Sequence, residues 1–198
     1  MTLQSTFKKQ FSCEFSAPKS EEAGAKLLSA HDRLAALGPA YFSVTYGAGG
    51  STKDGTKQAV IDIRAKGSDV APHLSFGGDS ADKIEALLSE YKNANVTRVV
   101  ALRGDMPSGM GGSVRLTYAN ELVDFIREKT GDHFHIEVAA YPEVHPDSRS
   151  VESDLDFFKA KVDAGANSAI TQYFYNPASY FHFIDACEKK GGAIPIIP

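Results

Sequence analysis

The sequence predicts an α/β fold, specifically a (β/α)8 barrel, and three observations carry that expectation. Apolar runs of strand length recur about every 30 residues, each followed by a polar turn and a segment of helical spacing. Several runs are continuous, such as Val99-Val100-Ala101-Leu102, which suits strands covered on both faces of a parallel sheet. Polar side chains also gather at the C-terminal end of six consecutive runs: Glu14, Thr45, His73, Arg103 with Asp105, Tyr141 with His145, and Gln172. Periodicity alone also permits an open doubly wound sheet, but such a sheet collects its polar groups mainly at one switch point, whereas a barrel collects them around a rim.

Strands are expected over Phe11–Phe15, Tyr41–Tyr46, Val70–Ser75, Arg98–Arg103, His135–Tyr141, Ala169–Phe174 and Ile194–Ile197. The first helix, Glu21–Leu37, carries Ala23, Leu27, Leu34 and Leu37 and stops at Gly38-Pro39. Lys53–Lys66 is the least regular helical stretch. Asp79–Ala94 places Ile84, Leu87, Leu88 and Tyr91 on one face. Thr117–Lys129 turns Leu122, Phe125 and Ile126 inward and ends before Gly131. Ser153–Ala164 and Ala178–Lys190 complete the helices. Seven strands are readable, whereas the closed fold uses eight and about 250 residues. The last helix-strand-helix portion is therefore expected to be absent, and residues 1–198 to form a single, incomplete barrel domain.

Composition narrows the function. The 198 residues are 42% hydrophobic and 23% charged, as in an ordinary globular domain. With 21 Lys and Arg against 25 Asp and Glu, the net charge of −4 offers no basic surface for nucleic acid. Two cysteines, Cys13 and Cys187, do not make a disulfide framework, and the first ten residues carry no apolar run. A cytoplasmic protein with no membrane segment is the expectation.

Several strand-end motifs carry chemistry. Glu14 interrupts an otherwise apolar strand, where burial would raise its pKa toward the range of a general acid; the other reading is a carboxylate that simply reaches solvent. Leu102-Arg103-Gly104-Asp105 ends a strand with a cation, a glycine and a carboxylate, suited to ligand approach or to a local ion pair. The loop Ser108–Ser113 could cover a cofactor or be merely solvated. Tyr141-Pro142-Glu143-Val144-His145-Pro146 brackets an imidazole with two prolines, which stiffen the loop. His73 follows Pro72, and a lone strand histidine is commonly structural. His133 and His135 lack companion ligands, so no metal site is assigned. Gly47–Thr52 has neither the Walker lysine nor dinucleotide-fold spacing.

Taken in order, Ser43–Ala48, Ala71–Leu74, Val100–Asp105, Ala140–Pro146, Lys161–Ala166 and Ile170–Gln172 resemble the methylenetetrahydrofolate reductases, flavin-dependent barrel enzymes of one-carbon metabolism. The resemblance runs over nearly the whole chain. It implies that FAD is held by Thr45, His73, Arg103, Gly104, Asp105, Tyr118, Ala119, Ala139, Tyr141, His145, Asp154 and Lys161. It also implies that Glu14 is the acid, that Asp105 and Gln172 face the folate, that NADH or NADPH donates the hydride, and that the barrels assemble as homo-oligomers. Phe157 and Ala160 depart from the bacterial pattern, standing where polar or basic side chains often hold the phosphate-ribose part of the cofactor. The rival expectations are another flavin barrel of the proline dehydrogenase kind and a non-catalytic binding or oligomerisation module.

Overall fold

The computed structural model describes residues 10–46, 52–76, 79–104 and 118–198. Among them seven strands alternate with six helices: β1 (Cys13–Phe15), α1 (Glu21–Ala35), β2 (Phe42–Val44), α2 (Lys53–Ala65), β3 (Val70–Leu74), α3 (Ala81–Asn93), β4 (Arg98–Ala101), α4 (Ala119–Thr130), β5 (His135–Ala140), α5 (Val151–Asp163), β6 (Ser168–Thr171), α6 (Pro177–Lys189) and β7 (Ile196–Ile197). Local chemistry sets many of the ends. Ser20 accepts a hydrogen bond from the Ala23 amide at 3.2 Å, Ser150 from Ser153 at 3.1 Å and Asn176 from Ala178 at 3.0 Å, each satisfying a donor that the helix start leaves open. Pro177 occupies the first turn of α6, where no amide is needed.

The strands form one parallel sheet in strict chain order, β1-β2-β3-β4-β5-β6-β7. With right-handed crossovers, that order sends every helix to the same face. The core agrees. Leu27 of α1, Val60 and Ile63 of α2, Leu88 of α3, Ile126 of α4, Phe158 of α5 and Phe183 of α6 bury against Phe42, Val70, Val99, Val138, Ala169 and Ile196 of the sheet. Fully burying one such aliphatic or aromatic side chain contributes about 1.5–3 kcal/mol, so this helix-covered face supplies most of the drive to fold. A doubly wound sheet would have helices on both faces. The architecture is seven consecutive strands of a (β/α)8 barrel, as the rim of polar residues predicts.

Register determines what faces inward. Glu14 pairs with Ser43 and Ser43 with Ala71, while His73 pairs with Val100, Val100 with Glu137 and Glu137 with Ser168. Parallel partners project to the same side, so these residues line the helix-free face. Tyr41, Ala71 and Val100 are buried there, with Leu102 and Ile170 against them.

All seven strands and six helices stand where the sequence predicts, but the strands are shorter. β1 begins at Cys13 and not Phe11, β2 ends at Val44 and not Tyr46, and β7 begins at Ile196 and not Ile194. Apolar patterning continues past the ladder because residues at the strand mouths still pack after the hydrogen bonds end. Asp105, the loop Ser108–Ser113, Thr117 and most of Gly47–Thr52 lie outside the described residues.

Candidate functional site

On the β1–β3 side, three strands bring a carboxylate, a hydroxyl and an imidazole together. Glu14 Oε2 lies 3.1 Å from His73 Nε2 and accepts a hydrogen bond from Ser43 Oγ at 3.3 Å. The Glu14 side chain is 53% exposed, because β1 is an edge strand among the described residues. The His73 imidazole beside it holds its carboxyl below the usual carboxylate range, and partial burial opposes without overcoming it. This corrects the sequence expectation of a buried carboxyl with a raised pKa: an imidazole two strands away outweighs the apolar neighbours along the chain. Beside them Thr45 Oγ1 accepts from the Ala17 amide at 3.1 Å, and the Thr45 carbonyl accepts from Thr56 Oγ1 at 2.8 Å, tying β2 to α2.

On the β4–β5 side, Arg103 Nη2 pairs with Asp147 Oδ2 at 2.7 Å, both well exposed. Gly104 follows, partly buried. The Tyr141 and His145 rings meet edge-on, 4.5 Å between centroids, and His145 Nδ1 accepts from the Asp147 amide at 3.0 Å. Asp154 at the start of α5 accepts from the His145 amide at 3.3 Å and from Ser148 Oγ at 2.9 Å, so it secures the loop. Val144 sits at φ +68°, a conformation that costs a β-branched residue on the order of 1–3 kcal/mol and that clusters at functional sites. Lys161 of α5 reaches the Ala139 carbonyl, and burial pushes its amine down to about 8. Tyr118 and Phe157 stack at 6.4 Å with 14° between planes, both substantially exposed, and Ala119 opens α4 beside them.

On the β6 side the Gln172 amide donates to the Ala140 carbonyl at 2.7 Å, while Gln172 Oε1 accepts from the Tyr173 amide at 2.8 Å. Glu14, Thr45, His73, Arg103, Gly104, Tyr141, His145 and Gln172 thus all stand at the C-terminal ends of their strands. Asp105 lies outside the described residues. Sequence reasoning passed over Ser43, Asp147 and Glu143. It also passed over Glu137, buried on the helix-free face, where Tyr41 Oη donates to it at 2.9 Å, Ser168 Oγ at 3.3 Å and Arg98 Nη1 at 3.4 Å. Glu137 interrupts an apolar strand just as Glu14 does, and that signal was available to find it.

The profile of the methylenetetrahydrofolate reductase family matches residues 2–198. The chain belongs to this family. It is 42% identical over 188 residues to the 5,10-methylenetetrahydrofolate reductase of Escherichia coli K12, covering 94% of this chain and 62% of that protein. To methylenetetrahydrofolate reductase (NADH) 1 of Arabidopsis thaliana it is 37% identical over 206 residues, 95% of this chain and 34% of the plant protein. The chain therefore spans less than two thirds of the curated relatives it matches. Among solved structures, an uncharacterized Clostridium thermocellum protein that binds two copies of 5-methyl-5,6,7,8-tetrahydrofolic acid superposes with a TM-score of 0.65 at 12% identity, over 94% of this chain and 63% of that one. A phosphonopyruvate hydrolase superposes at 0.64 and 13% identity, over 95% of this chain and 66% of that one. These two show the fold. The family assignment itself rests on the match over residues 2–198 and on the 42% and 37% identities.

Among the described residues no helix is long and apolar enough to cross a membrane, and no group of three or more His, Cys, Asp and Glu is placed to hold a metal.

Proposed function

We propose that the chain forms the catalytic barrel of a cytoplasmic, self-associating methylenetetrahydrofolate reductase, which converts 5,10-methylenetetrahydrofolate to 5-methyltetrahydrofolate with NADH or NADPH as donor and FAD as carrier. The observation that supports this reading is the Glu14 carboxylate in contact with His73 at the same rim that presents Arg103, Tyr141, His145 and Gln172. The residues fit FAD. A buried amine at Lys161, lowered to about 8 by burial, suits an anionic ligand, whose approach would raise its pKa again. Thr45, His73, Arg103, Gly104, Asp105, Ala119, Ala139, Tyr141, His145 and Asp154 would complete the hold. Tyr118 and Phe157 offer a pair of near-parallel exposed rings, aromatic surface in place of the polar side chain expected at residue 157.

Bound FAD would supply hydride transfer in two halves, from nicotinamide and then to folate. The protein supplies protons and charge. Glu14 donates a proton to the bridging nitrogen of methylenetetrahydrofolate, the five-membered ring opens, and the resulting iminium of the substrate is ready for hydride. Asp105 is assigned the electrostatic stabilisation of that cation, and Gln172 the hydrogen bonding that orients the folate. His73 lowers the Glu14 pKa in the free protein. Once His73 is engaged by another ligand, burial, which outweighs the remaining hydrogen bond from Ser43, would raise the Glu14 pKa toward a useful acid.

Stopped-flow absorbance on the FAD-loaded protein separates the halves. NADH or NADPH should bleach the flavin and methylenetetrahydrofolate should restore it. Glu14→Gln should slow the second step by about 100-fold or more while leaving the first within about twofold. Equal loss of both steps removes Glu14 from the acid role, and protein that takes up no FAD leaves a non-catalytic module.

A further inference from the structure

Glu143 stands in the stiff loop after β5, between Pro142 and the strained Val144, yet its carboxylate is directed at the neighbouring strand's loop. Its Oε1 accepts from the amides of Asn176 at 3.2 Å and Tyr175 at 3.4 Å. These two amides immediately precede α6, whose first turn has no acidic residue. An anion at a helix start is favoured by the open amides and by the helix dipole. Among the described residues Glu143 enters no ion pair, so those amides are its partners. The chain segment it grips, residues 172–176, begins with Gln172 and carries Tyr173 and Tyr175, which are 78% and 85% exposed with rings 5.3 Å apart. On the other side Val144 at φ +68° and the turn closed by its amide on the Tyr141 carbonyl, at 3.1 Å, fix the direction in which Glu143 leaves the backbone. A left-handed β-branched residue is retained only where surrounding structure compels it.

We propose that Glu143 is a positioning residue for the folate half-reaction: it clamps the β6–α6 loop so that Gln172 meets the substrate in one orientation. This rests on the reading that the rim binds folate. The residue touches no reacting atom, and its effect is exerted through two backbone amides. Removing the carboxylate frees the loop, so the entropy of ordering it must be met when folate binds, and the cost falls on binding and not on the flavin. Glu143→Gln keeps a carbonyl oxygen that still accepts from both amides.

The test uses FAD-loaded protein and two readouts. Glu143→Ala should raise the methylenetetrahydrofolate concentration for half-maximal flavin reoxidation about fivefold, with the maximal rate and the nicotinamide step within about twofold, and Glu143→Gln should recover most of the loss. By hydrogen exchange the Tyr175 and Asn176 amides should open about tenfold faster in Glu143→Ala, with the β5 amides unchanged. Unchanged exchange at 175 and 176 overturns the clamp. Faster exchange with unaltered folate dependence, or equal loss in both half-reactions, overturns the positioning role. If the unsubstituted protein is reduced by nicotinamide but never reoxidised by folate, the function proposed above fails and takes the folate role with it, while the exchange data still decide the clamp.

Discussion

At the scale of single residues, the proton at Glu14 is governed by a neighbour that no sequence window reveals. Glu14 and His73 are separated by an intervening strand and meet only because parallel register sets Glu14, Ser43 and His73 on one face. The sign of the effect is definite. A carboxyl whose pKa is depressed by folding contributes stability that is present above its unfolded value and lost as pH falls through its folded value. His73→Ala should therefore raise the Glu14 pKa in the cofactor-free protein and shrink the loss of stability on acidification, as followed by carbon-detected NMR titration of the Glu14 carboxyl. A Glu14 that titrates just as low without the imidazole would remove His73 as the cause. The identity of Glu14 as a candidate was legible, because a carboxylate in Phe11–Phe15 stands out against apolar neighbours. The direction of its pKa was not, because it depends on which strand lies beside which.

At the scale of elements, each strand and helix was legible because hydrophobic period and end signals agreed, as at Ser20 before α1 and Gly131 after α4. The bolts between elements were not. Arg127, near the end of α4, gives its Nε and Nη2 to the Gly165 carbonyl at 3.1 and 2.8 Å, and its Nη1 to the carbonyls of Phe134 and Gly131 at 2.9 and 3.1 Å. Its Nη2 also reaches Asn167 Oδ1 at 2.6 Å, and that oxygen in turn accepts from the Ile136 amide at 2.8 Å. One guanidinium thus joins the end of α4, the start of β5 and the turn between α5 and β6. Gly165, at φ +110°, leaves the room: a Cβ there would lie 3.0 Å from Arg127 Nε. In the sequence Arg127 reads as an ordinary basic residue in a last helical turn, since its acceptors lie up to 40 residues away. A lysine has one donor group and cannot span these carbonyls. Arg127→Lys should cost about 2–3 kcal/mol in urea denaturation with an unchanged slope, and a loss below about 0.5 kcal/mol would show the network to be dispensable.

At the scale of the whole molecule, the helix-covered face explains why the sheet forms, and the helix-free face carries the proposed site. One end of that inner face is the rim at which ligand binding is proposed. Toward the strand starts it is closed by charge, not by aliphatic packing: Arg98 opens β4, Glu137 is fully buried in β5, Ser168 opens β6 and Tyr41 precedes β2. The Arg98 guanidinium lies 4.7 Å from the centre of the Tyr41 ring, and His135 donates or accepts at Ser168 Oγ at 2.8 Å. Burial pushes the Glu137 carboxyl up even though Tyr41, Arg98 and Ser168 pull it down, and burial with the two nearby guanidiniums pushes His135 down to about 4. Four strands distant in sequence are joined through one carboxylate, and the question is whether that group adds stability or only geometry. A buried ion pair typically loses to well-packed apolar residues, while breaking one half strands the other charge at a cost of about 3–5 kcal/mol. Arg98→Met should accordingly destabilise by about 3 kcal/mol. The loss should be greatest above the ordinary carboxylate range, where an unpaired Glu137 must either ionise in the interior or hold a proton that the unfolded chain would release. Adding Glu137→Met should restore most of it. Chemical denaturation of the unsubstituted protein, the two single variants and the double variant forms a closed cycle. A double variant as unstable as Arg98→Met alone would mean that the strands depend on the polar layer itself, and that the floor of the barrel is held by these hydrogen bonds and not by the apolar face behind it.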